Sequence, residues 1–190
     1  MKLYIWRHPK PLAADGICLG QTDMGVNPRK LKRLANQIQR FARRHHLPKV
    51  IWVSPLQRSL KVGKILERYG FECRVAPDLI ELDFGTWDGE SWAQIPKQAI
   101  DAWCDDFAHS APYNGESVEQ LFSRVEAQAE NWLKAYAVEN NDAPILAVGH
   151  AGWINAAKMI DAGQWIPQVA ADWPRPVTYR ERSCLDLSGF

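Results

Sequence analysis

Two histidines and two arginines follow apolar runs in this sequence. Arg7-His8 comes after Leu3, Tyr4, Ile5 and Trp6; Ser54-Pro55-Leu56-Gln57-Arg58 comes after Val50 to Val53; Gly149-His150-Ala151-Gly152 comes after Pro144 to Val148. Two carboxylates, Glu81 and Asp83, stand just before Gly85. Such a set suits a phosphate ester. A guanidinium fork matches phosphate oxygens, a neutral imidazole attacks phosphorus, and a carboxyl group gives the leaving oxygen its proton. Alone, each residue has a plainer reading: a strand-end histidine that bonds its neighbours, a solvated arginine, a Ser-Pro turn, two loop carboxylates. Their recurrence at equivalent strand ends, rather than scattered along faces, argues for a site.

The elements that position these residues read from periodicity. Leu3 to Trp6 is a short buried strand. From about Pro28 to His46, Leu31, Leu34, Ile38, Phe41 and His45 recur at spacings of three and four among Lys and Arg, which predicts an amphipathic helix. Val50 to Val53 is a second strand, broken by Ser54-Pro55, and a helix runs from Gln57 to Tyr69 with Gly70 as its cap. A weak strand at Cys73 to Ala76 precedes a loop rich in Gly and Trp from Phe84 to Trp92 and a helix near Lys97 to Phe107. The longest helical pattern spans Ser117 to about Glu139; then come the strand Pro144 to Val148, a turn at Gly149 to Gly152 and a helix from Trp153 to Ile160. An irregular loop from Trp165 to Pro176 and a short strand near Ser183 to Leu187 close the chain. Strands alternating with helices predict an α/β fold with a mostly parallel central sheet and helices on both faces. Ligands of such sheets bind outside the carboxyl ends of the strands, which is where the histidines and arginines fall.

Length and composition limit the alternatives. A chain of 190 residues with 46% hydrophobic and 24% charged residues reads as one domain, 1–190, with a less typical loop near 161–182. A net charge of +1 argues against a general binder of nucleic acid or anionic lipid. The balance is uneven: Met24 to Leu66 holds eleven Lys or Arg and no carboxylate, while Asp78 to Glu119 holds ten carboxylates and one Lys. The basic stretch reads as the solvated face of its helix. Four cysteines separated by 55, 31 and 80 residues offer no zinc spacing and fit free thiols in a reducing cytoplasm. No apolar run reaches membrane length, and the start, Met1 to Trp6, meets Arg7-His8 before a signal-like apolar stretch forms, which suggests a soluble, unexported protein. Nine tryptophans are many. Trp6, Trp87, Trp153, Trp165 and Trp173 lie near site segments and suggest a pocket for an aromatic group, whereas Trp52, Trp103 and Trp132 read as packing.

Five ordered blocks between about residues 3 and 160 then carry a resemblance. These are Arg7-His8-Pro9-Lys10-Pro11 with Gly16-Ile17-Cys18-Leu19-Gly20-Gln21-Thr22-Asp23; Ser54-Pro55-Leu56-Gln57-Arg58; Glu81-Leu82-Asp83-Phe84-Gly85-Thr86-Trp87-Asp88-Gly89; Gly115-Glu116-Ser117; and Gly149-His150-Ala151-Gly152. Together they resemble the histidine phosphatase superfamily, phosphoglycerate-mutase-like, and more closely its α-ribazole phosphatase group. Pro9 replaces the family's Gly, the Asn that follows it in the family is not evident, and Asp88 stands where Glu is commoner.

The resemblance implies a phosphoglycerate-mutase-like three-layer sandwich and a metal-independent phosphomonoesterase without cofactor. In this reading His8 is the nucleophile that forms a phosphohistidine; Arg7, Arg58 and His150 hold the equatorial oxygens; Glu81 is the general acid, with Asp83 as stand-in. Gly20, Gln21 and the Ala151 amide are further phosphate contacts. The implied substrate is a small phosphate ester, α-ribazole 5'-phosphate in cobalamin nucleotide-loop assembly. The alternatives are a broad-specificity or sugar phosphatase of the same superfamily and a silent phospho-ligand sensor. A mutase fits less well, because the longer insertion that mutases carry is missing.

Overall fold

The computed structural model describes residues 1–138 and 143–190. Five strands, β1 (Lys2–Arg7), β2 (Val50–Val53), β3 (Glu72–Val75), β4 (Ile145–Gly149) and β5 (Arg182–Asp186), form one sheet in the order β3-β2-β4-β1-β5. The first four pair in parallel and β5 joins β1 antiparallel at the edge. This is the mostly parallel α/β sheet that the alternation predicts. Because β4 inserts between β1 and β2, the residues that follow these three strands form one row: His8, His150 and Ser54. The row is tied together, since the His8 amide donates to the Gly149 carbonyl at 3.0 Å and the Ser54 amide to the Val148 carbonyl at 3.3 Å.

Period-two alternation buries both faces of the central strands. Trp6, Ile51, Val53, Leu146 and Val148 face α1 (Pro28–Arg44) and α2 (Gln57–Glu67), through Leu31, Leu34, Ile38, Val62 and Leu66. Leu3, Ile5, Ile145 and Ala147 face α4 (Val118–Val138) and α5 (Ala151–Asp161), through Leu121, Val125, Ala129 and Ile154. Trp52, Trp132 and Trp153 stack through this second core, with ring centroids 5.9 and 6.2 Å apart. A remaining helix, α3 (Lys97–Asp105), lies toward the C-terminal loop.

The helical periods predict the elements better than their ends. The helix expected to reach His46 stops at Arg44, and the one expected to reach Tyr69 stops at Glu67. Gly70, at φ +83, caps the latter as expected, with the Phe71 amide donating to the Leu66 carbonyl. The expected end of α4 at Glu139 lies outside the described residues. The turn expected at Gly149 to Gly152 is shorter than that: α5 already begins at Ala151, so Gly152 sits in its first turn. The loop from Trp165 to Pro176 contains one short 3-10 turn, Ala170–Asp172. No helix among the described residues is long and apolar enough to cross a membrane.

Candidate active site

His8 is 2% exposed and its Nδ1 lies 2.8 Å from the Pro9 carbonyl. A carbonyl only accepts, so Nδ1 carries the hydrogen and Nε2 keeps its lone pair. The backbone carbonyl of residue 9 thus sets the tautomer, a contact that does not depend on the residue there being proline. Burial and then the charge of Arg58 hold His8 well below the ordinary histidine value, with the Pro9 bond opposing them and the charge of Arg7 adding the least. The ring is neutral at neutral pH, as a nucleophile must be.

Arg58 and His150 form a buried pair behind it, both 0% exposed. Arg58 Nε donates to His150 Nδ1 at 3.2 Å, Nη1 donates to the Thr22 carbonyl at 2.8 Å, and Nη2 donates to the Gly20 carbonyl. Since a guanidinium only donates, His150 Nδ1 accepts, and its Nε2–H points to Ser54 Oγ at 2.7 Å. Burial and then Arg58 push His150 well down as well. The two imidazole rings lie 4.9 Å apart. Both nitrogens of His150 are thus engaged, and a phosphoryl oxygen would reach it by replacing Ser54 as the acceptor of Nε2–H.

Glu81, 7% exposed, sits under the start of α5. Its Oε1 accepts from the Leu82 amide at 3.0 Å and the Trp153 amide at 3.3 Å, and its Oε2 accepts from the Gly152 amide at 3.1 Å. The free amides and positive pole of a helix N-terminus are suited to a carboxylate. Glycine at 152 makes the approach possible: a Cβ there would lie 2.5 Å from Glu81 Oε1. Arg124 supports the loop from below, with Nη1 donating to the Asp78 and Ile80 carbonyls at 2.7 and 2.8 Å while its fork grips Glu116 at 2.8 and 2.9 Å. Asp83 is separated from the site. Its Oδ1 closes a local turn onto the Gly85 amide at 2.8 Å, and it does not line the cavity described next.

A cavity of about 430 Å³ joins His8 and Glu81 to an apolar chamber, while Arg58 and His150 lie outside its lining. Arg7, His8, Glu81, Ala151 and Gly152 line the polar end. Trp92, Phe84, Trp103, Phe107 and Trp173 line the other as a continuous ladder of ring contacts at 5.9, 5.9, 4.8 and 5.6 Å. The tryptophan reading needs correction here. Trp173 lines the cavity, but Trp6 and Trp153 are core residues, Trp87 backs Trp103, and Trp165 is 91% exposed; Trp103, expected to be packing only, is a wall of the chamber. Asn155, 1% exposed, also lines it and donates to the Pro174 carbonyl at 3.0 Å, which pins the C-terminal segment over the cavity.

Gly20 and Gln21 lie behind the site and do not line the cavity. Asp88 accepts from the amides of Gly20 (3.1 Å), Gln21 and Thr22 (3.0 Å), and Gln21 Nε2 donates to the Glu81 carbonyl at 3.2 Å, so the polar groups of the two residues expected at phosphate are engaged within the protein. Gly20 has no room for a side chain, since a Cβ would collide with the Leu82 carbonyl. Ala151, by contrast, is the first residue of α5 and faces the cavity. Cys18, on the same loop, is buried, and burial followed by Asp88 pushes its thiol up to about 12, which leaves it inert. Among the described residues no group of three or more His, Cys, Asp or Glu is placed to hold a metal ion. The basic stretch forms a separate shallow groove of about 440 Å³ on the outer side of α1, lined by Arg33, Arg40 and Arg44 among others.

Sequence reasoning missed Asp88 as the organiser of the 20–22 loop, the Glu116–Arg124 support of Glu81, and Tyr179. The third block already contains Asp88, and the Gly-Glu-Ser block is the signal for the Glu116 support; nothing local marks Tyr179.

Comparison with known proteins agrees with this geometry. The family model described as histidine phosphatase superfamily (branch 1) matches residues 3–163. Glucosyl-3-phosphoglycerate phosphatase of Mycobacterium tuberculosis is 29% identical over 90% of this chain and 82% of its own length. Adenosylcobalamin/alpha-ribazole phosphatase of Escherichia coli K12 is 25% identical over 80% of this chain and 74% of its own. Among solved structures, mycobacterial glucosyl-3-phosphoglycerate phosphatase in complex with VO3 superposes with a TM-score of 0.79 at 25% identity, covering 97% of this chain and 92% of that one. The alpha-ribazole phosphatase of Shigella flexneri, at 24% identity, shares the fold with a TM-score of 0.74 over 98% of this chain and 90% of its own. The strand-end histidines and arginines, the fold and these matches lead to one conclusion: the chain belongs to branch 1 of the histidine phosphatase superfamily and is a phosphatase.

Proposed function

We propose that the protein is a phosphomonoesterase that works through a phosphohistidine on His8, and that its leaving group is an alcohol bearing a flat apolar group, with α-ribazole 5'-phosphate in cobalamin nucleotide-loop assembly as the substrate. His8 Nε2 attacks phosphorus as the ester P–O bond breaks, and Glu81 gives its proton to the departing oxygen. Water then attacks phosphorus, losing a proton to Glu81, as the P–N bond breaks and its electron pair returns to His8 Nε2, and inorganic phosphate leaves. Arg7 and Arg58 supply fixed positive charge for the equatorial oxygens, His150 supplies Nε2–H, and the Ala151 amide at the α5 N-terminus adds a further donor. No metal enters this reading.

The observation that carries the choice of leaving group is the aromatic ladder from Trp92 to Trp173, facing the polar end of a single cavity. Planar rings pack on such a wall. A second reading, a sugar phosphatase, is favoured by the 29% identity to glucosyl-3-phosphoglycerate phosphatase. That compound carries a carboxylate beside its phosphate, and among the described residues that line the cavity only Arg7 bears a fixed positive charge.

Comparing kcat/KM for α-ribazole 5'-phosphate, glucosyl-3-phosphoglycerate and a panel of phosphate esters tests the choice. An apolar pocket discriminates by about 10- to 200-fold, so a preference of at least about 10-fold for α-ribazole 5'-phosphate is expected. A flat profile favours a broad-specificity phosphatase, and a preference for the sugar ester overturns the proposed leaving group.

A further inference from the structure

The family match ends at residue 163, yet the segment beyond it reaches the phosphate end of the cavity. It does so at Arg7. The Arg7 amide donates to the Glu181 carbonyl at 3.0 Å and its carbonyl accepts from the Arg180 amide at 3.0 Å. Its guanidinium Nη1 donates to the Val177 carbonyl at 2.6 Å, while its central carbon lies 3.7 Å from the centre of the Tyr179 ring. That ring also lies 5.6 Å from the His8 ring and lines the cavity. Tyr179 is presented by a tight turn. The Thr178 amide donates to Glu181 Oε2 and the Glu181 amide to the Thr178 carbonyl, each at 3.0 Å, and Arg180 is held at φ +67, a left-handed conformation uncommon for a non-glycine residue. Such a conformation persists where the surroundings impose it, and it clusters at functional sites.

We propose that Tyr179 is a positioning residue for phosphoryl transfer: by stacking on the Arg7 guanidinium it fixes the plane in which that group offers its remaining N–H donors to the phosphoryl oxygens beside His8. The inference rests on the reading of Arg7 as a phosphate ligand. A guanidinium anchored through Nη1 alone can still pivot about that bond. A ring centred 3.7 Å from the guanidinium carbon restrains that pivot, and the cation–π attraction strengthens when the pair is partly desolvated, as here. The Arg7 Nε is buried without a hydrogen-bond partner, so the hydrogen bond at Nη1 and the stack carry the orientation between them.

The test uses the full chain with Tyr179→Leu and Tyr179→Phe, and reads orthophosphate inhibition together with kcat and KM on an aryl phosphate. Tyr179→Leu is expected to weaken orthophosphate binding and raise KM by about 10-fold, while Tyr179→Phe, which keeps the stacked ring, recovers most of the loss. Wild-type phosphate affinity in Tyr179→Leu, or a Phe variant as impaired as the Leu variant, overturns the proposal. Should Tyr179→Leu fold poorly, Tyr179→Met in the Arg7 and Arg7→Lys backgrounds closes a cycle: a lysine has no plane to stack, so removing the ring is expected to matter with Arg7 present and not with Lys, and equal effects in both backgrounds overturn the proposal. His8→Ala is measured alongside. Turnover retained there refutes the phosphohistidine reading itself, whereas an inactive His8→Ala beside an unaffected Tyr179→Leu refutes only the role of Tyr179.

Discussion

At the polar end of the cavity His8 lines the wall while Arg58 and His150 stand outside the lining; all three are 2% exposed or less, and hydrogen bonds to backbone, to Ser54 and to one another set their orientation. At the apolar end, Trp92, Trp103 and Trp173 are only partly buried and meet their neighbours as rings. The first is directional and short-range, so losing one donor leaves another group unpaired. The second works by area and shape, so losing one ring changes what fits while leaving the chemistry in place. Substitutions at the two ends should therefore differ in kind: one end governs whether phosphate is transferred, the other from which alcohol.

The largest effect is expected at Glu81. Glu81→Gln keeps the shape but removes the proton, and general acid catalysis is worth about 10²- to 10⁴-fold. The loss should appear in kcat/KM for an alkyl phosphate and shrink for p-nitrophenyl phosphate, whose leaving oxygen departs without a proton; equal losses on both would remove Glu81 from the role of acid. Next comes Trp103→Ala at the other end. It should lower kcat/KM for α-ribazole 5'-phosphate by about 10- to 100-fold and for a small alkyl phosphate by less than about 3-fold, and a uniform loss would show that the ring serves the fold rather than the leaving group.

The smallest effect is on stability. His8 and His150 are held well below the ordinary value by burial, so in acid the unfolded chain takes up protons that the folded chain refuses. Stability is then full above about pH 6.5 and is lost as pH falls from there toward the depressed folded values, by up to about 1.4 kcal/mol per pH unit for each group. Denaturant unfolding of His150→Gln between pH 8 and 5.5 should show a shallower decline than the wild-type protein. Parallel declines would mean that His150 is not buried as a neutral ring.

The same division explains what could be read from sequence. Arg7-His8, Ser54 to Arg58 and Gly149-His150 are legible because each follows a short apolar run, and a parallel sheet brings such ends to one edge whatever lies between them. Glu81 and Asp83, two residues apart on one loop, cannot be separated that way; the difference comes from Gly152 in α5 and Arg124 in α4, both distant in sequence. The amides of Gly20 and Gln21 turn to Asp88, 67 or 68 residues away, for the same reason. Tryptophans were the least legible, since proximity in sequence to a site segment put Trp6 and Trp165 in the pocket, while the ladder depends on α3 and the C-terminal segment folding toward each other.

The claim on which the rest depends is that phosphorus passes through His8. Mixing enzyme with a slow phosphate ester, quenching in alkali to preserve a phosphohistidine, and mapping the modified peptide by mass spectrometry tests it directly. One phosphoryl group on His8, and none when His8 is replaced by Ala, is the predicted result. A phosphoryl group on another residue, or turnover that persists in His8→Ala, would contradict it.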